Sequence, residues 1–308
     1  MATPSTTRIA YWNGRFVPEP EVLIPYRDRS FNRGDGCFDV TRTFDGRIFR
    51  LDEHVDRLYR SLRYLRIEIG IEPKEMAAIT EEIVERNEPF RAAAGDWWVG
   101  QRVSRGVDAV GDEGWADTGP QVIVDCTPLP LRARARLYRD GIDVMVPSIR
   151  RVPPSMVSPR AKTHNYMNLI LADKEVKASR PDAWSVLLDQ NGNLCEGTGS
   201  NIFVVRAEHL YTPREQYVLP GVSRRMVMDL AGEIGIPVEE RDLDMYDAVT
   251  ADEVFLTSTS LCICPVRTVN NHVIGDGTVP GPLTRRLTGA YIARVGTDFV
   301  AQYLSRLA

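Results

Sequence analysis

Four short segments of this 308-residue chain set reactive polar groups among apolar neighbours. In Ser158-Pro159-Arg160-Ala161-Lys162-Thr163-His164-Asn165-Tyr166, a lysine sits at a Pro-marked junction ahead of the apolar stretch Met167 to Leu171. Burial there would favour a neutral, nucleophilic amine over a hydrated ammonium. Taken alone, a solvated lysine at a helix start is the simpler account. In Leu194-Cys195-Glu196-Gly197-Thr198-Gly199-Ser200-Asn201-Ile202-Phe203, a carboxylate stands between a hairpin strand and a small-residue loop. An ionised Glu196 in that place needs a cation, either a protonated pyridine nitrogen or an arginine. Leu219-Pro220-Gly221-Val222-Ser223-Arg224 opens a helix whose free N–H groups can receive an anion, with the Ser223 hydroxyl beside them. Thr257-Ser258-Thr259-Ser260 offers four hydroxyls after an apolar strand, suited to a phosphate or a carboxylate.

In order, these segments supply an amine, a counter-ion for a cationic ring and two anion-binding turns. Pyridoxal 5′-phosphate, with its aldehyde, basic ring nitrogen and phosphate, uses all of them. The lysine count sharpens the point. Of 38 basic residues only Lys74, Lys162, Lys174 and Lys177 are lysines, and arginine cannot take over an amine's covalent chemistry.

These groups need elements to hold them. Asn13-Gly14 and Asp45-Gly46 mark tight hairpins. A helix is expected from about Leu51, with Val55, Leu58, Leu62 and Leu65 at helical spacing and Asp52 as its cap. A second helix is expected over Pro73 to Asn87. Strands follow at Trp97 to Val103 and Gln121 to Cys126, around a Gly/Asp-rich loop from Gly106 to Gly119. Thr127 to Arg139, with alternating Arg132, Arg134 and Arg136, reads as a solvated connector. Beyond it come a strand at Ile142 to Val146 and a helix from Asn165 to Ala178. A hairpin turning at Asn191-Gly192, a helix from Val222, and strands at Glu253 to Leu256 and Cys262 to Val269 complete the pattern. The class is α+β, with domains at 1–126 and 139–308 and a linker over 127–138.

Composition excludes several functions. The chain is 43% hydrophobic and 26% charged with a net charge of −4, an ordinary globular balance with no electrostatic grip on nucleic acid or anionic lipid. Cys37, Cys126, Cys195, Cys262 and Cys264 form no CxxC pair and read as reduced, buried thiols of a cytoplasmic protein. The four histidines have no metal spacing, so no metal site is expected. Met1 to Ala10 lacks an apolar core and does not read as a secretion signal, and no apolar run is long enough to cross a bilayer.

The same segments, in the same order, resemble the class IV aminotransferase family of fold-type IV pyridoxal-phosphate enzymes. The resemblance runs from Tyr11 to about Arg286. Its most specific pieces are His54-x-x-Arg57-Leu58-x-x-Ser61, Glu196-Gly197-x-x-Ser200-Asn201-Ile202-Phe203 and Leu219-Pro220-Gly221-x-Ser223-Arg224. It implies a smaller N-terminal α/β domain, a larger barrel-like C-terminal domain with helices, and a homodimer in which a loop carrying Arg33 completes the neighbouring subunit's site. Lys162 then matches the lysine that bonds the cofactor aldehyde and later moves the substrate proton. Glu196 matches the acid that keeps the pyridine nitrogen protonated. Arg57, Val222, Ser223 and Thr259 match the phosphate contacts, with Ser260 beside them, and Tyr166 answers to the tyrosine at the ring oxygen, though one residue nearer the lysine than in the branched-chain pattern.

For the substrate, the stretch Asp28 to Val40 is most similar to the D-amino-acid and (R)-amine branches, with Phe38 and Val40 lining the pocket. Trp98 and Gly100 stand where branched-chain enzymes carry Tyr-x-Arg, and Ser260 is a further substrate-binding candidate. The Arg-x-His of D-amino-acid enzymes is absent after Arg105-Gly106. Arg33 is the expected carboxylate partner. Arg102 is the alternative, with strand alternation turning it away. The expected reaction is transfer of an amino group between a D-amino acid or (R)-amine and a 2-oxo acid. A branched-chain L-amino-acid aminotransferase and aminodeoxychorismate lyase are the alternatives.

Overall fold

The structure is a computed structural model that describes residues 7–108 and 118–307. The middle of the Gly/Asp-rich loop, including most of the segment searched for Arg-x-His, lies outside the described residues, as does most of Met1 to Ala10. The chain forms two compact units. One comprises residues up to Leu129 together with Ala161–Tyr166; the other comprises Pro130–Arg160 and the chain from Met167 on.

The first unit contains β1 (Ile9–Trp12), β2 (Arg15–Pro18), α1 (Arg29–Arg33), β3 (Gly36–Phe44), β4 (Arg47–Ile48), α2 (Leu51–Leu65), α3 (Pro73–Ala94), β5 (Trp97–Val107) and β6 (Gly119–Pro128). Its sheet runs β2-β1-β6-β5-β3-β4, every pairing antiparallel. Leu58 and Leu62 of α2 and Met76 and Ile83 of α3 pack with Val99, Val103, Val122 and Val124 of the sheet. Each such side chain contributes about 1.5–3 kcal/mol on burial. Strand alternation divides β3. Cys37, Asp39, Thr41 and Thr43 are fully buried, whereas Phe38 and Val40 on the opposite face are half-buried.

Two helices of this unit differ from expectation. Asp52 is not the cap of α2. The chain leaves the Asp45-Gly46 hairpin through Arg50 in a left-handed conformation (φ 49°), so Arg50 is the N-cap and Asp52 lies in the first turn, where its charge favours the helix dipole. Helix α3 does not stop at Asn87 but continues through Pro89 to Ala94. Asn87 is buried and tied down. Its Nδ2 donates to the Ile83 and Ile9 carbonyls, both at 2.8 Å, and its Oδ1 accepts from Ile9 N–H at 2.9 Å.

The second unit contains α4 (Leu131–Asp140), β7 (Ile142–Met145), α5 (Met167–Ser179), β8 (Trp184–Leu188), β9 (Leu194–Gly197), β10 (Asn201–Arg206), β11 (His209–Thr212), α6 (Val222–Glu233), β12 (Val238–Glu240), α7 (Met245–Val249), β13 (Glu253–Ser258), β14 (Cys262–Val269), β15 (His272–Val273), α8 (Pro282–Val295) and α9 (Phe299–Leu304). Its sheet runs β12-β11-β10-β13-β14-β7-β8-β9, and β9 turns back to pair with β10 through Glu196 and Asn201. That return closes a barrel-like wall. The expected connector is largely helix α4. Leu131, Ala135 and Tyr138 recur at helical spacing and are buried, so the arginines between them occupy the remaining faces.

Candidate active site

Residues 161–166 form neither a helix nor a named strand, yet they are held like a strand against β3. Phe38 N–H donates to Lys162 O at 3.0 Å, His164 N–H donates to Gly36 O at 2.9 Å, and Cys37 bridges Thr163. On the other side, Lys162 N–H donates to Ser61 Oγ at 3.1 Å. The Lys162 side chain is only partly exposed. Its Nζ lies 4.6 Å from the Phe38 ring centroid and donates to Tyr166 Oη at 3.3 Å. No ion pair to Lys162 occurs among the described residues. The lysine that sequence alone left open to a solvated reading is thus a half-buried amine facing the Phe38 ring and the Tyr166 phenol.

Behind it lies a buried charge cluster. Asp39 of β3 accepts from Arg57 Nε and Nη2, both at 2.8 Å, and bonds His54 Nδ1 at 2.7 Å. Burial pushes the Asp39 carboxyl upward, but the adjacent Arg57 and the two side-chain hydrogen bonds overcome this and hold it well below the usual carboxylate range. Burial pushes the His54 pKa down, against the opposing effect of its Asp39 hydrogen bond.

His164, stacked on Phe38 with ring centroids 5.4 Å apart and bonded to Ser30 Oγ, is pushed down to about 4 by burial, with the Arg102 charge adding to the effect. A lowered histidine pKa means that the unfolded chain takes up a proton the folded chain refuses. Stability is therefore lost as pH falls below about 6.5, until the folded pKa is reached. Denaturant titrations at pH 7 and pH 5 should differ by about 2 kcal/mol from His164 alone, and His164→Gln should remove that part of the difference. An unchanged pH dependence in His164→Gln would refute the assignment.

The half-buried face of β3 continues across β5. Phe38 pairs with Arg102, Val40 with Gly100 and Arg42 with Trp98. Cross-strand partners share a face, so Arg102 is not turned away: it lies beside Phe38 on the same side as Val40, Gly100 and Trp98. Its Nε donates to Asp125 Oδ1 at 3.0 Å. Asp125 is buried deeply enough that desolvation outweighs this pairing and raises its pKa. A Cβ on Gly100 would stand 3.1 Å from Arg102 Nη2 and 2.8 Å from Asp125 Oδ1. The guanidinium therefore occupies the space that a side chain at position 100 would need. Arg33, at the end of α1, is exposed.

In the second unit, Glu196 is 5% exposed and doubly bonded. Oε1 accepts from Arg151 Nε and Oε2 from Leu219 N–H, each at 2.9 Å. The arginine partner that sequence could only raise as an alternative is thus present. Helix α6 begins at Val222, as expected, after Gly221. It has no side-chain cap, which leaves its first N–H groups without a side-chain acceptor. A Cβ on Gly221 would come within 2.2 Å of Asn201 Oδ1, so only glycine allows this approach. Ser223 Oγ donates to Ser258 O at 3.0 Å. Thr259 and Ser260 follow in the turn after β13. Ser260 Oγ accepts from Arg134, whose guanidinium also lies 5.3 Å over the Trp184 ring.

Sequence reasoning missed Asp39, Arg151 and Arg134. Asp39 stood inside a quoted motif between two pocket residues, a signal that was available. Arg151 and Arg134 carried no local mark in so arginine-rich a chain. No group of three or more metal-ligating side chains occurs among the described residues, and no described helix is long and apolar enough to cross a membrane.

Comparison with known proteins places these features in context. The model of the amino-transferase class IV family matches residues 36–269. A Methanocaldococcus jannaschii protein with the provisional name branched-chain-amino-acid aminotransferase is 36% identical over 278 residues, covering 90% of this chain and 93% of its own. The D-alanine aminotransferase of Bacillus licheniformis is 30% identical over 281 residues, covering 91% and 94%. Among solved structures, the T.th. branched-chain amino acid aminotransferase complexed with N-(5′-phosphopyridoxyl)-L-glutamate superposes with a TM-score of 0.82. It shows 28% identity, over 94% of this chain and 95% of that one.

Proposed function

The chain belongs to the amino-transferase class IV family, and from that premise we propose that it is a pyridoxal 5′-phosphate-dependent transaminase whose donor is a D-amino acid or an (R)-configured primary amine and whose acceptor is a 2-oxo acid. The observation that carries the cofactor reading is Lys162. An amine with no carboxylate partner among the described residues, set against aromatic faces and the Tyr166 hydroxyl, suits condensation with an aldehyde. Family membership gives each unit its own part of the remaining donor set: in the first, Arg57 would hold the phosphate and Tyr166 the ring oxygen; in the second, the open N–H groups at Val222 and Ser223, with Thr259, would hold the phosphate and Glu196 the ring nitrogen.

When bound, the cofactor supplies an electron sink for the carbon that loses its proton. The chain's residues do the remainder. The Lys162 amine takes the proton from the donor carbon and returns it one position away. Tyr166 Oη receives the Nζ hydrogen bond that orients this amine. The Glu196 charge, braced by Arg151 and Leu219 N–H, favours a protonated ring nitrogen. The phosphate contacts fix orientation. The T.th. neighbour bound to a phosphopyridoxyl compound supports this reading.

The handedness reading rests on the β3–β5 face. Val40 and Gly100 replace the glycine and arginine of the branched-chain pattern, and Trp98 with Phe38 provides an apolar wall. On this face Arg102 is the guanidinium available to a substrate carboxylate, with Asp125 holding its Nε. The variant Arg102→Met with Asp125→Asn, which leaves no carboxylate unpaired, should raise KM for D-alanine roughly 10–100-fold. KM for (R)-1-phenylethylamine, which has no carboxylate, should stay within about threefold. Equal effects on both donors would remove Arg102 from substrate recognition.

The branched-chain reading is the second candidate, favoured by the names of the M. jannaschii and T.th. proteins. Loaded enzyme mixed separately with D-alanine, L-leucine, (R)- and (S)-1-phenylethylamine separates the two readings through bleaching of the visible cofactor band. Fast bleaching by L-leucine alone would overturn the handedness proposed here. Pyruvate release from aminodeoxychorismate would favour the lyase.

A homodimer completes the proposal. Leu23, Ile24, Tyr26 and Phe31 are exposed on the segment leading to Arg33, an apolar stretch of the kind that a second subunit covers. Five free, buried cysteines support a cytoplasmic setting.

A further inference from the structure

The motif His54-x-x-Arg57-Leu58-x-x-Ser61 assigns one residue to the cofactor and leaves two without a role. Ser61 is 1% exposed, on the same buried stripe of α2 as His54 and Arg57. Its hydroxyl donates to Arg57 O at 2.9 Å, one helical turn back, which leaves its oxygen free to accept. It accepts the Lys162 backbone N–H at 3.1 Å. From Arg57 the path continues through the guanidinium to Asp39 at 2.8 Å, and Asp39 follows Phe38, whose N–H donates to Lys162 O at 3.0 Å. The path closes on itself. The two main-chain polar groups of Lys162 are thus gripped from opposite sides, N–H by α2 and C=O by β3, and the same circuit holds the Arg57 side chain.

We propose that Ser61 is a positioning residue for the transamination. Its hydroxyl fixes the Lys162 backbone against helix α2, so that the amine swings only about its own side-chain torsions and would stay within reach of the substrate proton. This rests on the reading of Lys162 and Arg57 as cofactor-binding residues. The physical need is clear. Residues 161–166 lie outside every helix and named strand and are bonded to β3 on one side only, so the Lys162 N–H on the other side depends on Ser61. A misplacement of about 1 Å in a reacting group costs on the order of 100-fold in rate. The Ser61 bond secures the one main-chain group of Lys162 that β3 does not.

Ser61→Ala tests this cleanly, because alanine favours a helix and leaves the Arg57–Asp39 pair untouched. In the loaded enzyme kcat should fall roughly 10- to 100-fold with KM within about threefold. Apo-protein titrated with pyridoxal 5′-phosphate should bind within about threefold of wild type. Two further readouts report on the lysine itself: backbone amide exchange at Lys162 should speed up by at least about tenfold, and the pH midpoint of the visible band should move. Ser61→Cys, which keeps the volume but offers only a weak acceptor, should lie between the two and serves if Ser61→Ala folds poorly. Wild-type kcat and exchange in these variants would overturn the proposal, as would a rate loss matched by an equal loss of cofactor affinity. Wild type that takes up no cofactor would instead end the underlying reading.

Discussion

Lys162→Ala is expected to lower transamination by at least about 10⁴-fold while leaving the fold intact. The size follows from the two tasks of one amine, bonding the cofactor and moving the substrate proton; general base catalysis alone is worth 10²–10⁴-fold. The fold should survive because Lys162 Nζ has no ion-pair partner among the described residues, so its removal strands no buried charge. Its backbone bonds to Phe38 and Ser61 do not involve the side chain. Lys162→Arg should fail equally, because a guanidinium keeps the charge but does not attack an aldehyde. Turnover of the donor that bleaches wild type, measured alongside the thermal midpoint, checks both halves. Activity within tenfold of wild type in either variant would remove Lys162 from the chemistry.

The second large effect is expected at Glu196. Glu196→Gln keeps the shape and can still accept from Leu219 N–H, but it removes the charge, and kcat should fall about 10²–10³-fold, the scale of losing one preorganised electrostatic contact. The Arg151–Glu196 pair makes a structural explanation possible, so stability has to be separated from activity. Glu196→Gln leaves the Arg151 cation without its counter-charge. Because Arg151 is itself 15% exposed, the cost should fall near the low end of the roughly 3–5 kcal/mol typical of a broken buried pair. Adding Arg151→Met removes the stranded cation. The double variant should regain most of the stability and none of the activity. Recovery of both together would make Glu196 a purely structural partner of Arg151.

How legible this protein is in its sequence depends on how local each signal is. The Val222 start of α6 and the Asn191-Gly192 turn follow from Gly, Pro and Asn placed at the point of change. Helix α4 was hidden because three arginines alternate across it, while the Leu131, Ala135 and Tyr138 stripe that buries it is sparse. Helix α3 outran its expected end because tertiary bonds from Asn87 to Ile9 secure the turn that precedes Pro89. The site divides in the same way. The chemical residues could be found by type and order. Their supports could not, because Asp39 to Arg57, Ser61 to Lys162 and Arg151 to Glu196 are long-range bonds, and a motif that marks a residue does not show which distant residue it meets. Arg102 was misjudged for a related reason: alternation along β5 is visible in sequence, but the register that sets Arg102 against Phe38 is a property of the sheet.

The central claim, that this chain carries out amino-group transfer through Lys162 and pyridoxal 5′-phosphate, is tested most directly by a half-reaction. Protein loaded with the cofactor is mixed with each donor in turn, without acceptor, and the visible band is followed together with the amount of carbonyl product. Bleaching with one carbonyl product per active site and recovery of the band on adding a 2-oxo acid are expected, with neither event in Lys162→Ala. A protein that binds no cofactor, or a loaded protein that keeps its band with every D- and L-amino acid and amine offered, would contradict it.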